Sequence, residues 1–129
     1  MELNYLAILV AAVAVFVVSA TWYGLLGNRL AELNDAYADT GQPPVWKMLA
    51  EFARTLVVAA VVAGLTSEIG IEGWLSAVGL GLVLWSGFPA IILSGSVLHE
   101  NVPWRLAAIH AGDWLLKLVV IAIVVGVWP

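Results

Sequence analysis

From Trp104 to Trp128 the chain reads WRLAAIHAGDWLLKLVVIAIVVGVW. A helix needs roughly 20 apolar residues to cross a bilayer, and this run supplies them. His110, Asp113 and Lys117 interrupt it. Their spacings of three and four residues place all three on one stripe of a helix. Charge inside a membrane span is costly and is turned inward, paired or kept in contact with water. The stripe therefore has to face the protein interior, with the other helices gathered around it.

The chain has 129 residues, 63% of them hydrophobic, and a mean hydropathy of +1.01. A soluble domain is about 45–50% apolar. The excess lies in long uninterrupted runs, which predicts an all-α integral membrane protein. We expect one domain of four transmembrane helices in a small bundle, with both termini on the same side. The spans fall at about 3–26, 46–65, 74–97 and 104–128. The absence of cysteine removes disulfides, thiolate catalysis and Cys-ligated metals. A net charge of −4 argues against nucleic acid as a partner.

The core of span one, LAILVAAVAVFVVSA, carries no charge. Val18-Ser19-Ala20 resembles a signal-peptide cleavage site, but Glu2 stands where a basic region belongs and the apolar run is too long. Trp22 and Tyr23 close the span as interfacial anchors. In connection 27–45, Leu30, Leu33 and Tyr37 recur at helical spacing with Arg29, Glu32 and Asp35 between them. That pattern fits a short amphipathic segment on the membrane surface, broken by Asp39 to Pro44.

Span two opens with Lys47, Glu51 and Arg54. Lys47 can snorkel to the headgroups. Arg54 lies about 10 Å further along the axis and needs a partner, either Glu51 or a group on another helix. A turn is expected from Thr66 to Gly73. In span three, Pro89 predicts a kink. Trp85 sits too deep for an interface anchor and is expected to pack inward. Ser86, Ala90 and Ser94 form a small-residue row suited to helix packing. Asn101 is a candidate cap for span four, with Pro103 in its first turn.

Arg29, Lys47 and Arg105 flank connections 27–45 and 98–103. The other side carries Glu2, Glu68 and Glu72 and no Lys or Arg. The positive-inside rule then puts both connections in the cytoplasm and both termini outside, in the inner membrane. In that orientation the intramembrane polar groups crowd the cytoplasmic half. The candidate site comprises Tyr23, Glu51, Arg54, His110, Asp113 and Lys117. Two readings stay open. These groups form a dry network that fixes helix register, with Asp113 and Lys117 as an i,i+4 ion pair. Alternatively they line a wet pocket open to the cytoplasm, where His110 or Asp113 takes up protons or Lys117 and Arg54 hold an anion. Protease, phosphate-loop and metal-site motifs are missing, so neither enzyme activity nor a metal or other cofactor is expected.

Several short motifs occur in order: Trp22-Tyr23-Gly24, Gly87-Phe88, Glu100-x-x-Pro103, Ile109-His110-Ala111-Gly112-Asp113-Trp114-Leu115-x-Lys117 and Gly126-x-Trp128. The set resembles a family of small bacterial four-span membrane proteins known as domain of unknown function 1761. Connection 27–45 departs from that resemblance, since an acidic stretch stands where a more aromatic, basic one is implied. The resemblance implies four helices and no activity. A small channel or transporter is one expectation, and an accessory protein binding a lipid or protein partner is the other. The small-residue faces suggest a homo-oligomer in the lipid bilayer. A reporter active only outside the cytoplasm, fused after Pro129, is expected to be active; silence there with activity after Asp39 would reverse the orientation.

Overall fold

The computed structural model describes residues 2–35 and 43–129. The helices are α1 (Tyr5–Leu25), α2 (Gly27–Leu33), α3 (Val45–Ile69), α4 (Trp74–Gly87), α5 (Pro89–His99) and α6 (Trp104–Val127). No strand occurs among the described residues. Four helical stretches are long and apolar enough to cross a membrane: α1, α3, α4 with α5, and α6. Helix α6 packs against α1, α3, α4 and α5, whereas α1 pairs with α3 and α4 with α5. The span with the charged stripe is thus the centre of the bundle.

Small side chains set how closely the helices approach. Ala7, Ala11 and Val15 of α1, Ala59 and Val62 of α3 and Ala77 of α4 are buried against Leu118, Ile121, Ala122 and Val125 of α6. Leu6, Leu9, Val13 and Val17 of α1 point outward. Lipid is as apolar as these residues, so helices associate in a membrane by close packing rather than by escape from water. Phe16 and Phe52 add an edge-to-face contact between α1 and α3, at 5.9 Å between ring centroids.

The chain ends are tied together. Asn4 caps α1 by accepting from the Ala7 N–H at 3.0 Å. Its amide nitrogen donates to the carbonyls of Trp128 at 3.3 Å and Pro129 at 3.4 Å. Both termini therefore lie on one side of the bundle.

Local chemistry adjusts several boundaries. Helix α3 runs on through Thr66, Ser67 and Glu68, which were expected in a turn. It stops at Gly70, whose φ of 79° permits the backbone N–H groups of Gly70 and Ile71 both to return to the Thr66 carbonyl. The Pro89 break divides span three after Gly87, as expected. The row of Ser86, Ala90 and Ser94 does not line the interior. Ser86 and Ser94 are exposed, and their hydroxyls return to the carbonyls of Val83 and Ile91 in their own helix. Gly81 makes the close approach instead. A Cβ there would stand 3.0 Å from the Val119 Cα of α6. Asn101 is not the cap of α6; it adopts a left-handed φ of 56° in the link, and Pro103 occupies the cap position. Helix α2 supplies the expected short segment, with Leu30 buried, while Tyr37 lies outside the described residues.

Gly81→Leu is expected to lower the thermal stability of the purified protein by about 1–3 kcal/mol, the usual cost of overpacking. Gly79→Leu, with open space around that position, serves as the control and should melt like the parent.

Candidate functional site

Asp113 lies in α6 with a side chain only 2% exposed. A carboxylate in that position needs full compensation. Its Oδ2 meets Lys117 Nζ at 3.0 Å, one helical turn on. Its Oδ1 accepts a hydrogen bond from the Ser19 hydroxyl of α1. Lys117, 9% exposed, also reaches across to α3 and meets Glu51 Oε1 at 3.3 Å. Its ammonium sits 4.8 Å from the Trp114 ring centroid, over a face that attracts cations. Glu51 Oε2 then accepts from Arg54 Nη1 at 2.7 Å.

The result is a chain of alternating charge, Asp113–Lys117–Glu51–Arg54, with two acids and two bases and no net charge. It runs outward through the fold. Asp113 is sealed, Glu51 is 39% exposed and Arg54 is 69% exposed. Among the described residues no buried side-chain nitrogen or oxygen lacks a hydrogen-bond partner. Thr55, also buried, donates to the Glu51 carbonyl at 2.9 Å.

His110 and Tyr23 meet separately. Tyr23 Oη and His110 Nδ1 are 2.7 Å apart, linking α1 to α6 one turn before Asp113. Of the six candidate residues, four form the ion chain and two form this aromatic pair.

Two tryptophans hold the same segment of α6 through its backbone. Trp22 Nε1 donates to the Ile109 carbonyl at 2.9 Å, and Trp85 Nε1 donates to the Ala111 carbonyl at 2.8 Å. Trp85 packs inward as expected. Trp22, expected as an interfacial anchor, also clamps α6. Its ring covers Gly112 so closely that a Cβ there would fall 2.5 Å from Cζ2. The run Ile109-His110-Ala111-Gly112-Asp113 now has a physical account: two carbonyls accept from indoles, two side chains reach partners on α1, and the glycine admits a ring. Ser19 escaped the sequence reading. Its signal was its position three and four residues before Trp22 and Tyr23, on the same face of α1.

A cleft of about 260 Å³ opens between α3 and α6. Glu51, Arg54, Trp114 and Lys117 line it, together with Val57 and Val58. No cluster of three or more metal-ligating side chains occurs among the described residues.

A family model described as "Protein of unknown function (DUF1761)" matches residues 6–126. The chain belongs to the DUF1761 family. No curated protein and no solved structure matches it. The match spans the helices that build both the ion chain and the indole clamps of this DUF1761 chain.

Asp113→Leu leaves Lys117 with Glu51 alone and is expected to cost about 3–5 kcal/mol, as breaking a buried ion pair does. The double variant Asp113→Leu, Lys117→Met removes both charges and should recover most of that loss in a thermal or denaturant melt. Equal destabilisation of the single and double variants would contradict the pairing account.

Proposed function

We propose that this DUF1761 chain is a non-catalytic binding component of the inner membrane, with connections 27–45 and 98–103 in the cytoplasm and both termini outside. The observation that carries this reading is the sealed end of the ion chain. A proton carrier or an ion path has to show its carboxylate to water. Asp113 instead has both oxygens engaged and its side chain 2% exposed. The polar surface that remains reachable opens sideways between α3 and α6, where Lys117, Glu51 and Arg54 face the cleft. A sideways opening suits a ligand or partner that resides in the bilayer better than a solute crossing it. The buried half of the network fixes the register of α1, α3 and α6, and the exposed half does the binding.

The absence of native cysteine gives a direct test. Ser19→Cys reports on the sealed end and Val58→Cys on the cleft. Val58→Cys is expected to react with a membrane-soluble maleimide. Ser19→Cys in folded protein should resist a charged, impermeant maleimide from either side. Labelling of Ser19→Cys by the charged reagent would mean a water-lined network and return the protein to the channel and transporter class.

A further inference from the structure

Arg54 occupies an unusual place. Helix α3 spans Val45–Ile69, and its 25 residues measure about 37 Å, more than the roughly 30 Å of a hydrocarbon core. Its first turn therefore belongs to the headgroup zone, where Lys47 stands 5.6 Å from the Trp46 ring centroid. Arg54 lies about 10 Å deeper than Lys47, inside the hydrocarbon zone, from which a long arginine side chain can snorkel back toward the headgroups. There its side chain is 69% exposed and meets Glu51 through a single nitrogen at 2.7 Å. A guanidinium carries five N–H donors in a planar fork. Glu51 is its ion-pair partner among the described residues, so most of that fork faces outward. Donors at this depth have no bulk water to satisfy them and call for an acceptor from the bilayer.

The cleft beside Arg54 is graded in polarity. Glu51 and Arg54 lie toward the α3 N-terminus, and Val57 and Val58 lie one turn deeper. That order follows a membrane amphiphile, with its head at the interface and its chain toward the midplane. The ion chain along the cleft has no net charge, and Lys117 is engaged by both Asp113 and Glu51, so the donors still open on the cleft wall are those of the Arg54 guanidinium. A group with several acceptor oxygens completes that fork, and a guanidinium matches a phosphate in geometry. A cleft of about 260 Å³ accepts a phosphate and its adjoining glycerol carbons while the acyl chains run alongside in the bilayer.

We infer that the cleft between α3 and α6 holds the phosphate of an anionic phospholipid, with Arg54 as the ligand and Val57 and Val58 against the start of an acyl chain. This assignment rests on the binding function proposed above.

The test uses the full chain in neutral detergent, titrated with phosphatidylglycerol or phosphatidylcholine and read by native mass spectrometry. Phosphatidylglycerol is expected to bind about tenfold more tightly than phosphatidylcholine. Arg54→Gln should erase that preference, the loss expected for one charge-assisted hydrogen bond. Arg54→Lys keeps the charge without the fork and should fall between. An unchanged thermal melt shows that each variant is folded, and should Arg54→Gln not fold, Arg54→Lys carries the test. Equal binding of the two lipids, or an undiminished preference in the folded variants, overturns the assignment. Displacement of bound lipid by millimolar inorganic phosphate also overturns it, since the ligand would then be a soluble anion. Reactive Val58→Cys with no lipid preference would sink this inference alone. Charged-reagent labelling of Ser19→Cys would sink the binding function itself.

Discussion

The buried bond between Asp113 and Lys117 constrains everything else in this molecule. Neither charge is tolerable in hydrocarbon alone, and the helix spacing that pairs them leaves valences that α6 cannot fill. Asp113 needs a second donor, which Ser19 of α1 provides. Lys117 needs a second acceptor, which Glu51 of α3 provides. The unmet hydrogen-bonding capacity of one ion pair thus recruits two further helices. Such a pair contributes little net stability against an apolar replacement, so its value lies in deciding which helix faces which and at what register.

Packing completes what charge begins. Gly112 and Gly81 strip side chains from α6 and α4 at points of close approach, to a Trp22 ring and to the Val119 backbone. The indole bonds to Ile109 and Ala111 use carbonyl lone pairs that the helix leaves spare, so they add cross-links without breaking the ladder. Charge, ring and glycine all act on one segment of α6, which makes that segment the least replaceable part of the chain.

Much of this was legible in the sequence. Length and hydropathy specify four spans. The positions of His110, Asp113 and Lys117 specify an inward stripe. The three-residue step from Glu51 to Arg54 and the four-residue step from Asp113 to Lys117 specify two of the ion pairs. The partners on α1 were harder to read. In water an inward face announces itself by polarity, but α1 is apolar all round because lipid and core make the same demand. Its buried Ala7 and Ala11 are smaller than its exposed Leu6 and Leu9, but Val15 is buried where Val13 is exposed, so residue type alone does not mark the inward face. Ser19 and Trp22 looked like a cleavage site and an anchor because single-helix patterns carry no information about rotation relative to a neighbour. The same holds for the row of Ser86, Ala90 and Ser94, whose spacing suits packing but whose face turns outward.

The placement of α6 at the centre has a consequence for biosynthesis. Of the four spans, the one on which the others lean leaves the ribosome after them. Until it arrives, α1 and α3 can lie against each other through Phe16 and Phe52, but Ser19 has no carboxylate and Glu51 has only Arg54. The early spans must therefore wait in the bilayer as a loose pair with an uncovered polar seam. Assembly of these four spans is completed by α6, which brings both the charge that fills the seam and the carbonyls of Trp128 and Pro129 on which Asn4 closes.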